Sequence, residues 1–424
     1  MGQTNDQTAT VFVPPDGGRR AWLALAGGWL CHFCSFGFVS ALGTFQMVYE
    51  TEILPEKTTS EISWILTMQL FLMFFLSQPV GLGIDMFGPR GILIPSLVFS
   101  VGGLIALSYA TEYYQVFLAQ SLCFGLGAAG AFVCGLVVAG QYFEKKRALA
   151  IGIVSTGGSS GGVVFPIMLA RLFDEIGFGP TLRWTSLFIG VLLAIACALV
   201  SPAFPAKGFA GRGSFISFAV FRKPEYVIFA AGSFLFFWGL FGPFNYLPLF
   251  AGADASTAGV SFYTLSIISA ASIPGRVLPT MISDRVGTMK TTTATCLLTG
   301  IAILVIWLPI NYHKSLAGLV IFAIFFGFIS SAFISLTVVA LYEITGGGTS
   351  DMGANLGTYL AIVAISSLTG LPIQGAIAKN PDGTDLAGLI IFCGVVILAG
   401  GLLLVWGTVL TTKRLKRTRT KNRG

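Results

Sequence analysis

Gly83-Ile84-Asp85-Met86-Phe87-Gly88-Pro89-Arg90-Gly91 closes the second apolar run of the chain, and a related stretch closes the eighth. The first follows Pro79-Val80-Gly81. The second follows Pro274-Gly275-Arg276 and reads Ser283-Asp284-Arg285-Val286-Gly287, with Lys290 beyond it. Both turns have the form Asp-x-x-Gly followed by a base. Gly and Pro make the turn tight. The acid can cap a neighbouring helix N-terminus or pair with a base on the same face. One device at matching points of two halves predicts a chain built from two parallel repeats.

The surrounding composition sets the medium. The chain has 424 residues, 54% hydrophobic and only 10% charged, with mean hydropathy +0.83. Soluble domains carry about 25% charge. Apolar runs long enough to cross a bilayer number twelve: 21–49, 62–83, 91–110, 114–141, 148–171, 183–202, 226–250, 260–283, 291–311, 315–341, 352–378 and 386–411. The reading is an all-α membrane protein of twelve transmembrane helices in two six-helix lobes. Its parts are an N-terminal segment 1–20, a lobe 21–202, a linker 203–225, a second lobe 226–411 and a basic tail 412–424. The 53 glycines suit close helix packing where lipid supplies no hydrophobic drive. The polar start runs into a span too long for a signal-peptide core, so no cleavable signal is expected.

Most of the 25 Lys and Arg fall on one side if both termini are cytoplasmic, which orients the bundle. The tail from Lys413 to Arg423 has no interleaved aromatics, so it suits lipid headgroups and not nucleic acid. The seven cysteines lie in apolar stretches, and Cys31 and Cys34 read as packing residues. No metal or cofactor set is present, and no disulfide framework is expected. Nothing in the spans pairs a nucleophile with a base, which argues against an enzyme. A channel would need rings of charge or filter carbonyls.

Arg276 lies eight residues before Asp284, about 12 Å deep at 1.5 Å rise per residue. A cation there costs about 2.5–3.5 kcal/mol on insertion scales. Binding an anion on its way across is the simplest return on that cost. The plainer alternative is an Arg that snorkels to the interface. Asn245 sits in Phe241-Gly242-Pro243-Phe244-Asn245-Tyr246-Leu247-Pro248, where two prolines free carbonyls at membrane depth. His32 is the other titratable group well inside a span. It is a candidate proton site, with a packing histidine as the alternative.

The Gly83–Gly91 loop resembles the loop between helices two and three of the major facilitator superfamily. Asp16-Gly17-Gly18-Arg19-Arg20-Ala21-Trp22 and Tyr142-Phe143-Glu144-Lys145-Lys146-Arg147-Ala148-Leu149-Ala150-Ile151-Gly152 are similar to signatures of its monocarboxylate-porter branch. Cys34-Ser35-Phe36-Gly37 and Gly43-Thr44-Phe45-Gln46 resemble the fungal members. The first signature departs from the family's by one inserted residue and an Arg in place of an aromatic. The resemblance implies the major facilitator fold. It also implies that Arg276, at the matching place on helix eight, binds a substrate carboxylate. Animal lactate-type members carry an Asp one turn earlier and a Lys late in helix one. Here those places hold Ser272 and Ser40, so their proton-coupling scheme does not transfer.

The expected function is secondary active transport of a monocarboxylate or related organic anion by alternating access, with proton coupling as an option. The alternatives are export of a fungal secondary metabolite and, further off, a non-transporting sensor. Arg276, Asn245, Ser40 and Ser331 are expected at the substrate, and Asp85, Arg90, Asp284 and Arg285 at the gate. The partners are a small organic acid or metabolite, the lipid bilayer and protons, with no nucleic acid and no obligate protein partner. The expected site is the plasma membrane, or the vacuolar membrane.

Overall fold

A computed structural model of the chain describes residues 16–143, 146–202, 218–253, 258–345, 352–378 and 385–421. The described residues form helices and no strand. The first lobe holds α1 (Arg19–Ile53), α2 (59–87), α3 (89–107), α4 (Tyr113–Tyr142), α5 (Arg147–Ile176) and α6 (Phe178–Leu199). The second holds α7 (Pro224–Gly252), α8 (Thr264–Val286), α9 (Thr288–Tyr312), α10 (Leu316–Thr345), α11 (Met352–Ile377) and α12 (Ala387–Lys421).

The turns behave as their residues require. Helical hydrogen bonding runs from Ser77 to Leu107 with one break, at Gly88 (φ 77°, ψ 165°), which separates α2 from α3. Its counterpart between α8 and α9 is Gly287 at φ 103°. A side chain at either position would be strained. The start of α2 is fixed by a reciprocal cap. Glu61 N–H donates to Thr58 Oγ1 at 3.2 Å, and Thr58 N–H donates to Glu61 Oε2 at 2.9 Å. The carboxyl of Glu61 is held below its ordinary range by these Thr58 bonds.

Several helices outrun their apolar stretches. α6 begins at Phe178, not near 183, because Gly177 (φ 80°) ends α5 and starts α6 without a loop. Arg183 therefore lies on α6, with its guanidinium 4.8 Å from the centre of the Tyr109 ring. α12 continues through the basic tail to Lys421, since nothing after Thr411 breaks a helix. Residues 1–15 and linker residues 203–217 lie outside the described residues.

α1 packs on α4, α5 and α6, and α3 on α4 and α6; in the second lobe α8 packs on α10, α9 on α10 and α12, and α7 on α11 and α12. Small residues let these helices touch backbone to backbone. A Cβ on Gly161 of α5 would stand 2.6 Å from Gly37 Cα of α1. One on Gly275 of α8 would stand 2.2 Å from the Phe328 carbonyl oxygen of α10. The outer surface is apolar, with Leu402, Val305 and Val98 each more than half exposed, as lipid contact requires. The lobes meet along α5–α8 and α2–α11. The face carrying the Gly88 and Gly287 turns and both described ends is called the basic face below.

Candidate functional site

α1 is irregular where it passes the middle of the lobe interface. Residues Phe33–Gly37 form a π-helical turn. Ser40 and Ala41 then leave the helix, with Ala41 at φ −90°, ψ 8°. Such wide turns shift a helix face locally and free carbonyls. The displaced face presents Phe36 and Ser40 to a cavity between the lobes. The cavity has a volume of about 50 Å³. A few waters fit there, whereas a metabolite does not unless the lobes part.

Arg276, Asn245, Ser40 and Ser331 all line this one cavity. Arg276 reaches it from α8 and is 5% exposed, so its head does not snorkel out of the protein. The close α8–α10 crossing at Gly275 sets its position. One turn earlier, Ser272 Oγ donates to Ile268 O at 2.8 Å or Gly327 O at 3.0 Å, tying α8 to α10. The guanidinium carbon of Arg276 stands 5.5 Å from the centre of the Phe36 ring. Its Nε has no hydrogen-bond partner among the described residues. Arg276 is also the one charged residue among those that line the cavity. Opposite charges 4 Å apart attract by about 4 kcal/mol at an effective dielectric near 20. An anion entering here thus meets an uncompensated cation, and the aromatic face beside it is the weaker partner.

The rest of the wall divides by chemistry. Leu70, Leu240, Phe241, Phe244 and Ile334 make an apolar side. Asn245 is half-buried, and its Nδ2 donates to Phe241 O at 2.8 Å, which leaves its carbonyl oxygen and one amide hydrogen for a ligand. Ser159, Ser269 and Ser330 join the lining beside Ser272. Ser269 and Ser330 did not stand out in the sequence, and Ser159 did so only as part of the run Gly157-Gly158-Ser159-Ser160-Gly161-Gly162 that leads through span five. Ser330 adjoins Ser331, and Ser159 follows the Gly157-Gly158 pair of α5; those neighbours were the available signals.

His32 lies elsewhere. It is 2% exposed, packs on Phe132 with ring centres 4.9 Å apart, and does not line the cavity. A Cβ on Gly135 would come within 2.5 Å of its Nδ1, an atom without a hydrogen-bond partner among the described residues. Its setting is the α1–α4 contact.

At the basic face, Arg90 donates from Nε to Val200 O at 2.8 Å and from Nη2 to Ala198 O at 3.1 Å. It thereby closes the C-terminal end of α6, where a cation also suits the helix dipole. Asp85 is half-buried near the end of α2, and Arg285 is exposed in the last turn of α8. The side chain of Asp284 lies outside the described residues. Arg147 spans the lobes, with its guanidinium carbon 4.6 Å from the centre of the Tyr342 ring of α10.

Residues 24–350 match the model of the Major Facilitator Superfamily. The chain is 40% identical over 402 residues to the MFS-type transporter hasB of Aspergillus fumigatus, covering 92% of this chain and 89% of that protein. It is 35% identical over 405 residues to the Fujikurins efflux protein of Gibberella fujikuroi, covering 95% and 85%. It is 35% identical over 398 residues to the Agnestins efflux protein of Paecilomyces divaricatus, covering 94% and 88%. Among solved structures, a mutant of the peptide transporter POT in complex with sulfate superposes with TM-score 0.72 at 13% identity, over 94% of this chain and 97% of that one. That likeness concerns the fold.

Proposed function

The chain belongs to the Major Facilitator Superfamily and is a multi-pass membrane transporter of small metabolites, and on that premise we propose that it exports an acidic, largely apolar secondary metabolite. Export was the alternative reading of the sequence, behind monocarboxylate transport. Relatives named as efflux proteins support it over uptake of a small monocarboxylate. The monocarboxylate-porter resemblance keeps its use for Arg276, as the group that receives the acid. In this reading the carboxylate or enolate displaces the Phe36 face from Arg276, and the apolar body lies along Phe241, Phe244 and Leu240. Ser40, Ser331 and Asn245 border it. The lobes rock about this cavity, with the turns at Asp85–Arg90 and Asp284–Arg285 at the gate on the basic face. By the positive-inside rule that face is the cytoplasmic one, in a protein of the plasma membrane or the vacuolar membrane.

The observation that carries the proposal is a buried Arg276, its Nε without a hydrogen-bond partner among the described residues, in a cavity otherwise lined by uncharged groups. The test is flux of labelled aromatic and polyketide-type acids in proteoliposomes, with and without a pH gradient. Arg276→Ala is expected to lower transport efficiency about 100-fold, the effect of losing a charge-assisted hydrogen bond of about 3 kcal/mol. Arg276→Lys is expected to recover part of it, since Lys keeps the charge but loses the planar fork. Flux that survives Arg276→Ala unchanged refutes an acidic substrate at this site.

A further inference from the structure

The serines of the cavity are not equivalent. A hydroxyl has one donor and two acceptor positions, and on a helix the donor normally turns back to a carbonyl three or four residues earlier. Ser40 does so with Phe36 O at 3.0 Å, and Ser331 with Phe328 O at 3.1 Å or, across to α8, Ser272 O at 3.2 Å. Ser272 is likewise engaged. Ser159 on α5 and Ser330 on α10 break the pattern as the fully buried, unpartnered hydroxyls of the lining; Ser269 on α8 lines the cavity too and turns back to no carbonyl among the described residues. Ser159 and Ser330 are 4% and 1% exposed, both line the cavity, and neither hydroxyl has a hydrogen-bond partner among the described residues. Their donors are unused in a buried, mostly apolar space, where an unsatisfied hydroxyl costs about 1–3 kcal/mol.

We propose that Ser159 and Ser330 are specificity-determining residues that read a neutral oxygen of the substrate, a hydroxyl or carbonyl remote from the acid held by Arg276. This rests on the acid-export reading and narrows its substrate class. Simple hydrocarbon acids would leave both hydroxyls unpaired, whereas an oxygenated acid satisfies them. The two serines belong to different lobes, so an oxygenated ligand also ties the lobes together across the cavity. A site built to hydrogen-bond an oxygen rejects the analogue that lacks it.

The test uses 2-naphthoate and 6-hydroxy-2-naphthoate, which differ by one hydroxyl far from the carboxylate. Binding to the purified full chain is measured for wild type, Ser159→Ala, Ser330→Ala and Ser330→Thr. Wild type is expected to favour the hydroxylated acid about fivefold or more. Each alanine variant should bring that ratio toward one while 2-naphthoate affinity stays within about twofold, which also reports an intact cavity. Ser330→Thr, which keeps a hydroxyl, should retain most of the preference. A wild-type ratio near one, or a preference that survives both alanine changes, overturns the assignment while leaving acid export standing. Wild type that binds neither naphthoate overturns the acid reading and this one with it.

Discussion

Arg276 shows how far a single residue can be read before its surroundings are known. Its depth followed from counting along α8, and the cost of a cation there pointed to a ligand. Asn245, Ser40 and Ser331 line the same cavity. What counting could not reveal was hydroxyl engagement. Whether a serine turns back to its own helix or faces a cavity depends on the crossing of neighbouring helices, and that hid Ser159 and Ser330. Phe36, one of 37 phenylalanines, carried no signal of its own. Arg90 makes the converse point, because the turn motif suggested a gate while its guanidinium closes the carbonyls of α6. Arg90→Ala is expected to lower the melting temperature of the purified protein. Each bond of this kind is worth about 1 kcal/mol, and Arg90→Lys cannot span both carbonyls. Turnover per folded molecule should stay near wild type if the cap is its whole task. A fall in turnover at unchanged melting temperature would assign Arg90 to the gate.

At the scale of helices, the twelve spans were legible because lipid forces long apolar runs and leaves the backbone no alternative. Their ends were less legible. Hydrophobicity marks where a helix meets the interface, while hydrogen bonding continues until a Gly177 or a Gly287 stops it. The π-turn at Phe33–Gly37 had no clear signature, since the displacement answers the packing of α5 on α1. The glycines of that contact and of the lobe interface should behave differently. A Cβ on Gly161 meets Gly37 Cα at 2.6 Å inside one lobe, where backbone faces backbone. Gly161→Ala is therefore expected to destabilise the fold by about 1–3 kcal/mol, the usual cost of overpacking. A Cβ on Gly357 of α11 meets Gln78 Cβ of α2 at 2.5 Å, but across two bodies that can separate. Gly357→Ala should leave the melting temperature within a few degrees and slow transport instead. Thermal melts and flux on both variants check the contrast. Equal destabilisation by both would mean that the lobes do not move independently at α2–α11.

At the scale of the whole molecule, loading requires the lobes to part, because pockets that hold drug-sized ligands measure about 300–1,000 Å³ and this cavity only about 50 Å³. Between the cavity and the basic face the lobes are held by close glycine crossings, at Gln78–Gly357 and Gly152–Arg276, and by the Arg147–Tyr342 stack. A cation–π contact is worth about 0.5–2 kcal/mol, depending on desolvation. At about 1 kcal/mol, its loss shifts the ratio of open to closed states about fivefold. Tyr342→Ala is therefore expected to speed hydrogen exchange about fivefold at the ends of α4, α5 and α10 on this face, because exchange there reports local opening. Tyr342→Phe keeps the ring and should exchange like wild type, which separates the stack from any role of the hydroxyl. With the basic face in the cytoplasm, Tyr342→Ala should also load an exported acid more readily from that side. It should reset more slowly, because closing that face would lack the stack. Unchanged exchange in Tyr342→Ala would move the latch to the glycine crossings, where only shape holds the lobes together.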